Sequence, residues 1–123
     1  MINRLFASDV YEDILAALDA DESDWAIKER AALSTKSPQT CKVALRQLAE
    51  SLRLGSFAEN MAMEYRIAAR VLIRPDFVEG VRAVIVDKDN APLWNPATPE
   101  GVSDGLLDAI FAPLPANEEW KPL

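Results

Sequence analysis

Residues 76–96 read DFVEGVRAVIVDKDNAPLWNP, and the fold class turns on the middle of this stretch. Taken alone, the apolar run Ala83–Val86 suits a β-strand. Phe77, Val81, Val84 and Ile85, however, repeat at helical spacing and share one side of a helix. The spacing predicts a helix over 76–86 with those four residues inward and Gly80 near its middle. Beyond Asp87 the chain loses periodicity and carries Pro92, Pro96 and Pro99, so a loop follows. With this segment helical, the expected class is mainly α, with five to six helices.

The upstream sequence agrees with that class. In SPQTCKVALRQLAESL, 37–52, Ser37 is placed to cap and Pro38 to take the first helical position, where its missing N–H costs nothing. Cys41, Ala44, Leu45, Leu48 and Leu52 form its expected buried face, and Gly55 stops it. Ser56 and Glu59 have capping-box spacing and open a helix that Pro75 ends. Phe57, Met61, Tyr65, Ala68, Ala69 and Leu72 form its expected stripe. Two further helices are expected at 8–19, capped by Ser8, and at 23–34, with Trp25 and Ala26 inward. A short helix is expected at 103–111. The whole chain, 1–123, reads as a single helical domain, with helices over 1–88 and an irregular tail over 89–123.

Composition narrows the chemistry. At 123 residues, half of them apolar, the chain has enough for a core. It has no histidine, so the commonest general base and zinc ligand are missing. The single cysteine, Cys41, rules out an intrachain disulfide and a cysteine metal cluster. It falls on an apolar stripe, which favours a packed thiol over a reactive one. No metal site, catalytic residue or resident cofactor is expected. No apolar run reaches the ~18–20 residues of a membrane span. The first residues, MINRLFASD, do not resemble a secretory signal. A cytosolic setting is therefore expected, with no membrane partner.

The net charge of −7 is unevenly spread. Nine of the thirteen basic residues lie within 36–88, and acids dominate both ends. That balance argues against nucleic acid as a partner, while a small anion could still meet the basic middle. Arg66, Arg70 and Arg74 are four apart and make one ridge of like charge, which needs an answer from Glu59, Asp76, the acidic first helix or an anion. Arg82 and Lys88 flank the apolar side of the 76–86 helix. Lys88 lies near its C-terminus, where a cation suits the dipole. Trp94, between two prolines, is placed to anchor an extended tail.

SPQTCKVALRQL, MEYR and DFVEGVRAVIVDKDNAPLWNP together resemble the C-terminal region of the 3-hydroxyisobutyryl-CoA hydrolase group in the enoyl-CoA hydratase/isomerase (crotonase) superfamily. The likeness runs from Ile2 to about Leu114. It implies a helical segment that covers the acyl-CoA site and builds a homo-oligomer, while a separate core of β-β-α turns carries the oxyanion hole and the catalytic carboxylates. No counterpart of that core is visible in these residues. The resemblance further implies a coenzyme A contact from the helix at Glu79–Gly80, with Lys88 the best match to the family's lysine and Arg82 a second candidate. Val84 or Ile85 stands where the family often has an aromatic residue, so the implied contact is electrostatic.

Two readings follow. In the first, the chain is the helical part of an acyl-CoA thioester hydrolase acting in valine breakdown. Its partners are the crotonase core of its own or a neighbouring chain and, through the complete enzyme, acyl-CoA; alone it is inactive. In the second, it is a free-standing helical module for protein–protein interaction.

Overall fold

The computed structural model describes residues 2–123, and every described regular element is helical. Seven α-helices run in order: α1 Ile2–Leu5, α2 Tyr11–Ala20, α3 Asp24–Ser34, α4 Pro38–Ser51, α5 Phe57–Val71, α6 Pro75–Val81 and α7 Asp104–Phe111. A π-helical turn, Arg82–Val86, continues α6, and a 3₁₀ turn, Pro99–Gly101, precedes α7. The 76–86 stretch is thus helical throughout, although its second half is wound as π rather than α. The short α1 adds a helix that periodicity over so few residues does not reveal.

Serine caps set most of the boundaries. Ser23, Ser37, Ser56 and Ser103 each accept a hydrogen bond from the backbone N–H three residues on, relieving one of the unpaired donors at a helix start. The Ser56–Glu59 pair is an altered capping box. Ser56 Oγ accepts from Glu59 N, but the Glu59 carboxylate reaches back to the N–H of Gly55 at 2.6 Å. Ser8 is not a cap. Its hydroxyl accepts from Val10 N and donates to Asp13, and the helix begins later, at Tyr11.

Two apolar clusters hold the helices together. Val43 of α4, Met63 and Ile67 of α5, and Val102, Leu107 and Ile110 at and within α7 form the first. Leu5, Ile14, Leu18 and Ala26 join α1, α2 and α3 in the second, with Leu45 of α4 packed against it. Helix α4 therefore touches both, and Lys42 on it donates to Val102 O and pairs with Glu12 across the seam.

Several faces expected to be buried are not. On α5 the buried residues are Met63 and Ile67, while Phe57 is 76% exposed and Tyr65 and Leu72 about half exposed. On α4, Gln39 and Val43 are buried, whereas Leu48 and Leu52 are open to solvent. On α6 and the π turn, only Asp76 and Ala83 are buried; Phe77, Val84 and Ile85 face outward. Val43, Met63 and Ile67, buried on α4 and α5, lie outside the stripes that the periodicity picked out. Spacing alone does not say which of two apolar sides the other described helices cover.

Candidate functional site

The segment from α6 to Pro96 folds back on itself. Asp76 and Glu79, three residues apart on α6, lie along one side of the returning chain. Asp76 accepts the N–H of Asn95 at 2.7 Å, and Glu79 accepts the N–H of Leu93 at 3.1 Å. Pro92 and Pro96 flank these donors and have no N–H to place. Trp94 lies against Gly80, where an added Cβ would be 3.5 Å from the indole ring, and its Nε1 donates to Thr35 O at 3.1 Å. The anchor is real, and it grips the α3–α4 turn and α6 of its own chain. Buried Asp76 also accepts from Ser37 Oγ, so the cap of α4 and the returning strand share one carboxylate.

Arg82 begins the π turn and is the hub of an ion cluster. Its Nε donates to Glu79 at 2.6 Å; Nη1 donates to Asp87 at 2.7 Å and Asp89 at 2.8 Å; Nη2 donates to Glu79 at 2.8 Å and to Ala91 O at 3.4 Å. The hydrogen bonds to Arg82, with the Leu93 N–H next in weight, bring the Glu79 carboxyl down to about 2. Arg82 likewise holds Asp89 below the usual carboxylate range, and the three acids raise Arg82 above its own.

Lys88 sits at the far end of this cluster. It is exposed, has φ 55°, and makes no ion pair among the described residues. Asn90, φ 51°, is the other left-handed residue of the turn. Helical periodicity carries no signal for either conformation. The outer side of α6 carries a shallow depression lined by Thr40, Val71, Phe77, Val81, Ile85 and Trp94. Arg82 and Lys88 thus belong to one local structure, but with different surroundings: one is enclosed by acids, the other free at its tip.

The remaining candidates have structural partners. Arg66 pairs with Glu119 through two contacts, at 2.8 and 3.1 Å. Arg70 donates to the carbonyls of Ile110, Ala112 and Pro113, closing the C-terminus of α7, where unpaired carbonyls favour a cation. Arg74 Nε donates to buried Gln39. The arginine ridge is thus answered by the tail, α7 and α4, rather than by Glu59, Asp76 or the first helix. Cys41 is half-buried. Burial, then a hydrogen bond to Cys41, pushes the Tyr11 phenol above its usual range.

Comparison with known proteins places this arrangement. The family model for enoyl-CoA hydratase/isomerase matches residues 1–111. The mitochondrial 3-hydroxyisobutyryl-CoA hydrolase of Gallus gallus is 41% identical over 117 residues, covering 95% of this chain and 30% of that protein. The probable 3-hydroxyisobutyryl-CoA hydrolase 2 of Arabidopsis thaliana is 35% identical, covering all of this chain and 34% of its own length. Among solved structures, a carnitinyl-CoA dehydratase from Mycobacterium thermoresistibile superposes with a TM-score of 0.85 at 32% identity, covering 94% of this chain and 33% of that one. An enoyl-CoA hydratase from Rhodobacter sphaeroides 2.4.1 gives 0.83 at 36% identity, covering 96% and 34%. The chain spans about a third of the length of these relatives. No helix among the described residues is long and apolar enough to cross a membrane. The name of the chicken relative gives that protein a mitochondrial setting, which does not match the expected cytosolic one.

Proposed function

We infer a function from a family premise: the chain belongs to the enoyl-CoA hydratase/isomerase family. It serves as the helical C-terminal part of an acyl-CoA enzyme most like 3-hydroxyisobutyryl-CoA hydrolase, and the complete enzyme hydrolyses a short β-hydroxyacyl-CoA thioester in valine breakdown. Alone the chain is inactive. It contributes to coenzyme A binding, through the region of Arg82 and Lys88, and to assembly of a homo-oligomer.

The observation that carries this reading is the pairing of near-complete similarity with partial coverage. The chicken hydrolase matches 95% of this chain while this chain matches 30% of that protein. The outward apolar sides of α4, α5 and α6 support it, because large exposed apolar surfaces mark places where another protein surface packs. The core of the same or a neighbouring chain is the partner proposed for them. Those surfaces also suit a free-standing interaction module, the second reading.

Around Lys88 three carboxylates stand against two cations. Coenzyme A should therefore bind the isolated chain weakly, and the part of that affinity supplied by the Lys88 ammonium should fall as salt rises. The test has two parts. Thioester cleavage is assayed with the chain alone, where none is expected and clear turnover would refute the inactive-alone claim. Coenzyme A is titrated against amide NMR signals at low and moderate salt, where salt-sensitive shifts near Lys88 are expected. Silence at both salts would remove the proposed contact and leave a scaffold. The cytosolic setting remains part of the proposal, and fractionation of cells producing the protein decides between it and the mitochondrial matrix.

A further inference from the structure

We propose that Arg82 is a positioning residue that locks residues 87–91 in the left-handed turn presenting Lys88, rather than a ligand of phosphate itself. The functional half of this rests on the coenzyme A reading above; the structural half does not.

The argument begins with donors. A guanidinium has five N–H groups. Here Nε is shared between the two Glu79 oxygens, Nη1 takes Asp87 and Asp89, and Nη2 takes Glu79 and the carbonyl of Ala91. None is left for an incoming phosphate. An anion approaching Arg82 would have to displace carboxylates already in bidentate or short contact, with no gain in charge pairing.

The same bonds act where the backbone needs help. Lys88 and Asn90 both have positive φ. Asparagine tolerates this conformation, whereas for lysine it is unfavourable. It persists only where neighbours over-determine it. Arg82 ties together the residues on both sides of Lys88, Asp87 and Asp89, and also Ala91 beyond them. The backbone of Arg82 and Ala83 adds to the hold: Asp87 N donates to Arg82 O at 2.7 Å and Asn90 N to Ala83 O at 2.9 Å. Asp89 Oδ1 in turn accepts the N–H of Ala91 at 2.9 Å. The flanking acids are thus drawn back toward Arg82, and Lys88 is left as the one cation of the turn without a partner among the described residues.

The experiment uses the 123-residue chain and its Arg82→Ala, Arg82→Lys and Glu79→Gln variants. Amide shifts and three-bond HN–Hα couplings of Lys88 and Asn90 report the turn. Coenzyme A titration at low salt reports the contact, and amides of α4 and α7 confirm that each variant is folded. The expected result is that Arg82→Ala and Glu79→Gln both move the Lys88 and Asn90 signals away from left-handed values, and that both weaken coenzyme A shifts at Lys88 about threefold, a fraction of one charge-assisted contact. Arg82→Lys, with one compact ammonium for three acids, restores the turn only in part. The Glu79→Gln result is the sharpest, because removing a negative charge and freeing the guanidinium would tighten binding if Arg82 were the ligand. Tighter binding there, or an Arg82→Ala loss of binding with the turn unmoved, overturns the proposal. If the wild-type chain ignores coenzyme A while the variants still disturb the turn, the lock stands and the coenzyme A reading falls.

Discussion

The two sides of α5 carry comparable apolar side chains and meet opposite fates. Met63 and Ile67 are 7% and 8% exposed against α7, while Phe57 and Leu72, on the other side, are 76% and 50% exposed. Helix α4 repeats the pattern, with Val43 buried and Leu52 89% exposed. The inner sides build this chain's own core. The outer sides make no such core, and their apolar area is available to whatever packs there. A helix that is apolar on two sides has room for two neighbours, and the described residues supply one of them.

The contrast is broken or sharpened first by truncation. Ile110 is 2% exposed in the inner cluster, so Ile110→Ala should lower unfolding free energy by about 2–5 kcal/mol, from lost transfer energy plus a cavity. Phe57→Ser, a comparable loss of apolar bulk, should stay within about 0.5 kcal/mol because the ring is already in water. Urea midpoints measure both. The same Phe57→Ser change should reduce self-association in sedimentation. A large stability loss for Phe57→Ser would mean that the outer side is covered in solution.

Next in size is the joint between the returning strand and the helices. Asp76 is 5% exposed and accepts from Ser37 Oγ and Asn95 N. Asp76→Ala would leave a buried hydroxyl and an amide without a partner, at a cost of about 1–3 kcal/mol. Hydrogen exchange should show faster opening at Asn95 and at the start of α4 together. Acceleration at only one of them would mean that the carboxylate does not couple the two.

How much of this was legible beforehand depended on range. Serine caps act over three residues, and the sequence displayed those at 37 and 56, while Ser23 and Ser103 cap helices expected from it without a named cap. The spacing of apolar residues is just as local, yet it picked out stripes that exclude the buried Val43, Met63 and Ile67. What covers a stripe is not local, which is why α5 and α6 face the opposite way from the simplest expectation. The partners of the arginine ridge were hidden for the same reason. Arg70 closes α7 some 40 residues away, and Arg66 meets Glu119. The Lys88 contact was suggested by resemblance, but the acid cage around Arg82 depends on a chain reversal that no periodicity encodes. Ser8 misled because its hydroxyl serves a turn ahead of the helix.

Two glycines provide a finer test, since only one is required by space. At Gly101 an added Cβ would lie 2.9 Å from Pro96 Cβ, so Gly101→Ala must move the proline strand and should cost about 1–3 kcal/mol. At Gly80 the nearest atom would be a Trp94 ring carbon at 3.5 Å, an ordinary contact. Gly80→Ala should therefore hold or gain up to about 1 kcal/mol through helix propensity. Thermal unfolding of the pair separates them, and Trp94 fluorescence should change little in the second. A destabilised Gly80→Ala would show that the indole sits closer to α6 than this geometry allows.

The smallest expected effect is in the Glu79–Arg82 pair, where α6 passes into the π turn. The Glu79 carboxyl lies at about 2 when folded against an ordinary 4.5, chiefly through its hydrogen bond to Arg82. A depressed carboxylate favours the folded state at pH above its ordinary value, and that contribution fades as protons are forced on. The wild-type chain should thus exceed Glu79→Gln in stability near neutral pH. The gap should narrow as pH falls from about 4.5 toward about 2. Asp89, held low by the same guanidinium, adds to the slope of both proteins once Arg82 is in place. Because the pair is only partly covered and still within reach of salt, raising salt should shrink the neutral-pH gap, whereas the Ile110 effect should not respond. A gap that ignores both pH and salt would mean that Glu79 stabilises the strand through its hydrogen bond to Leu93 N alone, with the ion cluster contributing to the shape of the turn but not to its stability.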